Sequence, residues 1–144
     1  TASLFDIYGE QNLNQANHIQ ADLLYSILLK NNGENGFEMI ALPKVAQVAP
    51  IMDFEFVDID NDEIEEILVV GNMYEAEVET VRYDTSKGVV LKYNNGTFSV
   101  LPASETGFFV KGNTRDIALL STSKGRGLVV SRNNDKVKYF TLLD

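Results

Sequence analysis

The sequence predicts an all-β protein whose short strands are joined by turns. Runs of β-branched and aromatic residues recur along the chain, and each ends at glycine, asparagine or aspartate. Helical periodicity is nearly confined to residues 3–9, where a short N-terminal helical turn is expected. The predicted strands are residues 18–25, 26–30, 37–42, 52–58, 66–70, 88–93, 98–101, 116–122, 127–131 and 137–142. So many strands in a small chain predict more than one sheet.

An internal repeat is the most informative pattern in the sequence. The segments ILLKNNG (27–33) and FEMIALP (37–43) return as VVLKYNNG (89–96) and FSVLP (98–102). A second pair, residues 67–72 and 127–133, keeps nearly the same offset of roughly 60 residues, which lies close to the periods of propellers and solenoids. Two independent pairs with a shared offset indicate a repeated structural unit.

The repeated unit contains a hairpin signal. Asn32 with Gly33, and Asn95 with Gly96, supply the positive φ that a tight turn requires. With two preceding strands, such a hairpin makes a four-stranded blade of a β-propeller. The chain is therefore expected to be a single domain (1–144) of about two to three blades. Residues 26–43 and 116–142 are expected to form partial blades, and residues 52–102 a full blade. Because a propeller closes with about four blades or more, we expect the domain to be a fragment of a longer one.

Composition narrows the classes of partner. Lysine and arginine total 12 against 21 aspartates and glutamates, and the net charge of -9 disfavours nucleic acid and anionic membranes. The absence of cysteine excludes disulfides and thiolate metal sites. No apolar run approaches the roughly 20 residues of a membrane helix, so membrane insertion is not expected.

A carboxylate-rich loop is the strongest candidate site. Asp58, Asp60, Asp62 and Glu66 lie at the spacing of a calcium loop, with the carbonyl of Ile64 as a fifth ligand. These residues predict a Ca²⁺ site, because hard oxygen ligands suit that ion and the carboxylates would otherwise repel one another.

Two features of the loop favour a different interpretation. Glu63 stands where calcium loops have a glycine with positive φ. The matching loop of the next unit, residues 121–127, contains no carboxylate. The alternative is a solvated acidic turn whose aspartates accept hydrogen bonds from backbone amides.

The acidic residues resemble the Asp-x-Asp-x-Asp-Gly-x-x-Asp loop of FG-GAP/VCBS repeats. Further segments resemble the C-terminal part of bacterial propellers similar to cartilage acidic protein and the ASPIC/UnbV proteins. The resemblance implies a calcium-stabilised propeller used outside the cytoplasm for adhesion, glycan handling or assembly, and it implies no catalytic activity. The matching segments are residues 37–38, 42–43, 46–47, 49–50, 71–72, 82–84, 107–112, 115–116 and 132–135.

Catalytic constellations are weak in this sequence. His18 is the only histidine, and the alternation of Glu75, Glu77 and Glu79 predicts a solvent-facing edge rather than the acid pair of a glycoside hydrolase. No nucleophile elbow, phosphate-binding loop or dinucleotide fingerprint is present. The expected activity is therefore binding, not catalysis.

The sequence leaves three functions open. The first is a non-catalytic extracytoplasmic module that binds or scaffolds protein or carbohydrate. The others are an accessory region of a larger carbohydrate-active enzyme and a purely structural repeat. An incomplete propeller exposes strand edges and apolar faces, so a homo-oligomer is also expected. Residues 82–84 and 115–116 are expected either to form charged pairs across blades or to be independent surface charges.

Overall fold

The computed structural model describes residues 1–123 and 125–142, and Lys124, Leu143 and Asp144 lie outside that description. Its regular structure is mostly β, in three antiparallel sheets, which confirms the predicted class. The strands are β1 Ile27–Asn31, β2 Phe37–Ala41, β3 Asp53–Val57, β4 Glu66–Val70, β5 Val89–Asn94, β6 Thr97–Leu101, β7 Thr114–Thr122, β8 Gly125–Arg132 and β9 Lys138–Thr141. The helices are α1 Leu4–Tyr8, α2 Glu10–Gln15 and α3 Ala103–Thr106, with 3₁₀ turns at Gly33–Asn35 and Lys44–Gln47. Within the described ranges, no helix has the length and apolarity to cross a membrane.

The strands follow one another in chain order within each sheet. The first sheet is β1-β2, the second is β3-β4-β5-β6 and the third is β7-β8-β9. The strand predicted at residues 18–25 is wrong, because that segment contains no strand. Its apolar side chains are exposed, Ile19 by 94% and Leu24 by 85%, so they gain little of the burial that would hold a strand in place. The helical turn predicted near the N-terminus is present as α1.

The side chains of β4 alternate between two apolar cores, one on each face of the second sheet. Leu68 and Val70 pack into a core shared with the third sheet, whereas Ile67 and Val69 pack into a second core on the opposite face. All five residues of β4 are buried, as expected for a central strand covered on both sides. The core shared with the third sheet comprises Val57, Leu68, Val70, Val90, Phe108, Val110, Ile117, Leu128 and Val130. The opposite core comprises Ala46, Ile67, Val69, Val89 and Leu91.

The two repeated hairpins differ in their turns. Asn95 and Gly96 form a two-residue turn with φ of 48° and 87°, which confirms the tight turn predicted there. The tight turn predicted at Asn32 and Gly33 is wrong. Asn32 has a φ of -100°, and the connection continues through the 3₁₀ turn to Gly36. Three further residues precede the return strand here, so the chain closes a wider loop with positive φ at both glycines.

The second and third sheets meet along their edge strands. Asp53 Oδ2 on β3 accepts a hydrogen bond from the amide of Ile117 on β7, over 2.8 Å. Glu55 Oε2 accepts one from the amide of Leu119, over 3.0 Å. The two strands are thus joined by side chain to backbone bonds, in addition to the apolar core behind them.

Candidate functional site

The acidic loop, residues 58–65, connects β3 to β4 and is organised by its own carboxylates. Asp58 accepts hydrogen bonds from the amides of Asp62 (3.2 Å) and Glu63 (2.9 Å), one on each oxygen. Asp62 Oδ1 accepts a hydrogen bond from the amide of Ile64 over 3.0 Å. These bonds close the turn in the way that aspartates commonly do.

The backbone of the loop enters the left-handed region at two residues. Asn61 has a φ of 60° and Glu63 a φ of 67°. The position that calcium loops give to glycine therefore keeps its left-handed conformation here, although it carries a glutamate. The conformation costs about 1–2 kcal/mol for a residue with a Cβ. The hydrogen bond from the Glu63 amide to Asp58 helps to offset that cost.

Glu66 begins β4 and its side chain is fully buried. Its Oε2 accepts a hydrogen bond from the amide of Ile59 over 3.1 Å. The other oxygen, Oε1, is buried, and no uncharged group of the described residues donates a hydrogen bond to it. Because an unpaired charge is costly to bury, this oxygen requires a cation nearby.

Lys92 supplies a cation at this position. Its Nζ lies 2.9 Å from Asp60 Oδ2 and 3.1 Å from Glu66 Oε1, and it also contacts Asp62 Oδ2. The contact with Asp62 comes first among the causes that raise the pKa of Lys92, followed by the contact with Asp60. The same contact lowers the pKa of Asp62 below its ordinary value.

Lys92 was not among the residues predicted for this site. The residue lies in the repeated segment that begins at Val89, and β5 pairs with β4 so that Leu91 stands opposite Ile67. Lys92 is therefore next to the end of β4 at which Glu66 lies. The signal available in the sequence was a lone lysine in an apolar strand predicted to neighbour an acidic loop.

Three of the five predicted metal ligands come together. Asp58, Asp60 and Glu66 each bring one carboxylate oxygen to within 4.8 Å of the other two, so the group could hold a metal ion. Asp62 contacts the same lysine but is not a member of this group. Ile64 takes part through its amide, which donates to Asp62, whereas its carbonyl was predicted to be a ligand.

A second polar cluster surrounds Glu75. Its Oε1 accepts hydrogen bonds from Asn113 Nδ2 and Asn133 Nδ2, both over 2.8 Å, and its Oε2 pairs with Arg115. Glu75 is exposed, as predicted, but it is also tied to three residues in or next to strands of the third sheet. Its own backbone amide, ahead of these partners, lowers the pKa of Glu75 below the ordinary value.

The charged segments expected to pair across sheets do so only in part. Arg82 pairs with Asp84 in its own segment over 2.8 Å, with both side chains substantially exposed. Arg115 reaches across to Glu75 instead of to the residues 82–84. His18 lies exposed in the irregular segment before β1.

Comparisons with known proteins do not identify a family or a function for the chain. No family model, curated protein or solved structure matches the chain. The functional assignment therefore depends on the contacts of the sheets and of the acidic loop, and on the resemblance of the sequence described above.

Proposed function

We propose that the chain is a non-catalytic binding or scaffolding module whose three sheets are successive blades of a β-propeller. In this proposal the first sheet is the outer half of a blade (26–43), and the second sheet is a complete blade (52–102). The third sheet supplies three strands of the next blade (116–142). The support comes from how the second and third sheets meet.

β3 and β7 are equivalent strands of the repeat. The sequence repeat places Val69 of β4 and Val129 of β8 at matching positions. In the sheets, Val69 pairs with Phe54 and Val129 pairs with Ala118, so Phe54 and Ala118 match as well. It follows that the residues next to them on β3 and β7 also correspond one to one.

The hydrogen bonds between these strands join matching positions. Asp53 bonds to the amide of Ile117 and Glu55 to the amide of Leu119, and both pairs are 64 residues apart. When two adjacent sheets are related by a rotation about an axis parallel to their strands, matching residues of the two sheets lie at the same level along that axis. Propeller blades are related in this way, and this correspondence is the observation that carries the proposal.

The binding role is inferred from the resemblance of the sequence and from its net charge. The resemblance to FG-GAP/VCBS repeats supports a place outside the cytoplasm and a protein or carbohydrate ligand. The acidic composition argues against nucleic acid. An accessory region of a larger carbohydrate-active enzyme and a purely structural repeat are the alternative functions.

Calcium is the metal that we propose for the acidic loop. Asp58, Asp60 and Glu66 would supply one oxygen each. A bound Ca²⁺ would hold the carboxylates together and fix the turn between β3 and β4. Loops of this kind in extracellular modules bind calcium with Kd values of about 10⁻⁴–10⁻³ M.

A glycan array probed with the purified chain tests the binding role, with chromatography of the same glycans after prolonged incubation as a test for catalysis. We expect a defined subset of glycans to bind and none to be converted. Conversion of a bound glycan would contradict the non-catalytic assignment. A silent array together with strong self-association would favour the purely structural repeat.

A further inference from the structure

We propose that Lys92 is the built-in cation of the acidic loop, and that a calcium ion enters the loop only when this side chain leaves it. The second part rests on the calcium site proposed above. The first part concerns the chain alone.

The contacts of Lys92 match what the loop requires. Its Nζ approaches carboxylates from three positions, namely Asp60, Asp62 and Glu66. One of them, Glu66 Oε1, is buried, and the ammonium group at 3.1 Å is its partner and its compensating charge. Without that charge the carboxylates would face one another at close range, which is unfavourable for the ionised forms.

Lys92 and a metal ion would use the same two carboxylates. Asp60 and Glu66 belong to the group of three residues that could hold a metal, and both lie within about 3 Å of Lys92 Nζ. Calcium requires its oxygens at about 2.3–2.6 Å. An ammonium group and a divalent cation bound to the same two carboxylates would be in contact, and their repulsion makes simultaneous binding unfavourable.

The strand fixes Lys92 in place before any metal arrives. The preceding residue, Leu91, is completely buried, and the pairing of β5 with β4 aims Lys92 at the loop. Its side chain is only 19% exposed, so it is held in the cluster and does not extend into solvent. The loop can therefore keep its shape without metal, unlike a loop that depends on calcium.

Calcium titration by calorimetry, with wild type and Lys92→Met compared, tests the competition. We expect the variant to bind calcium at least about ten-fold more tightly, since the metal no longer has to break the contacts of the lysine. Lys87→Met is the matched control, because Lys87 donates to the carbonyl of Asp84, outside the loop. Asp60→Ala, made in the Lys92→Met background, should abolish the heat.

Thermal denaturation in EDTA gives a second measurement. Wild type and Lys87→Met should melt at temperatures that calcium changes little. Lys92→Met should melt at a lower temperature in EDTA and recover when calcium is added. A Lys92→Met protein that melts like wild type in EDTA would show that the lysine does not stabilise the loop, and would overturn the first part of the proposal.

The outcomes separate this proposal from the calcium site itself. Equal calcium affinities in wild type and Lys92→Met would overturn the competition and leave the calcium site standing. Absence of calcium binding in both proteins would overturn the competition and the calcium site. If Lys92→Met does not fold, reductive methylation of wild type followed by mass spectrometry decides: calcium must speed the modification of Lys92 relative to Lys87, and an unchanged ratio would overturn the competition.

Discussion

Glu66 and Lys92 show how one residue pair determines the character of the loop. Glu66 is the polar member of a strand that is otherwise isoleucine, leucine and valine, and it is buried as deeply as they are. A carboxylate in that position is tolerated because the Ile59 amide and the Lys92 ammonium face its two oxygens. The acidic loop is therefore anchored at its end by a charge pair that spans two strands.

The sequence predicted the carboxylates of this site but not its cation. Asp58, Asp60 and Glu66 are near one another along the chain, so their spacing alone indicated a common site. Lys92 is 32 residues from Asp60 and reaches it only through the register of β4 against β5. Such a contact depends on the pairing of two strands, which no local pattern specifies.

The pH dependence of the free energy of unfolding tests the contribution of Glu75 to stability. Its pKa is lowered in the folded chain, so it contributes stability above its unfolded pKa of about 4.3. That contribution is lost as the pH falls through the lower, folded pKa. We expect the free energy of unfolding of Glu75→Gln to fall less steeply below about pH 4.5 than that of wild type. Urea denaturation at a series of pH values measures the difference between the two curves.

A matched variant guards against a general effect of charge removal. Glu77 lies two residues after Glu75 in the sequence and is also exposed. Glu77→Gln should leave the acid limb of the stability curve as it is in wild type. If Glu75→Gln and Glu77→Gln change the curve equally, the hydrogen bonds and the ion pair of Glu75 do not carry the effect.

The elements could be predicted where each strand has a partner and a buried face. β4 was predicted with its observed bounds because an apolar run between an acidic loop and Gly71 leaves little freedom. The segment 18–25 also contains isoleucine, leucine and tyrosine, but no strand pairs with it in the described ranges and it is exposed. Strand formation thus depended on a partner that composition does not report.

The side chain to amide bonds between β3 and β7 give a prediction at the scale of elements. Asp53→Ala should destabilise the chain by about 1–3 kcal/mol, because the amide of Ile117, a residue that is 4% exposed, loses its acceptor. Asp53→Asn keeps an acceptor oxygen and should cost much less. Urea denaturation of both variants measures the free energy of unfolding. Equal losses in the two variants would mean that the charge of Asp53, and not the bond to β7, is responsible.

The molecule as a whole is asymmetric about its second sheet. The face toward the third sheet packs into the larger apolar core, beside a cavity of about 450 Å³ that Leu68, Leu128 and Phe140 help to line. The opposite face has the smaller core, and a groove of about 470 Å³ lies there between the first sheet and the second. Phe54 and Phe56 line this groove and remain 53% and 42% exposed. In the proposed propeller, the first blade has only its outer half, and the groove lies on the side of the second sheet that an inner half would cover.

Aromatic side chains exposed beside an incomplete sheet favour association with another copy. We expect the isolated chain to form a dimer or larger assembly, and Phe54→Thr with Phe56→Thr to shift it toward monomer while keeping residues suited to strands. Sedimentation velocity over a range of concentrations measures the shift. Ile19→Thr with Val78→Thr is the matched control, since these side chains are 94% and 102% exposed in irregular segments. A wild-type chain that stays monomeric at every concentration, or a control pair that dissociates it equally well, would remove the groove as the site of association.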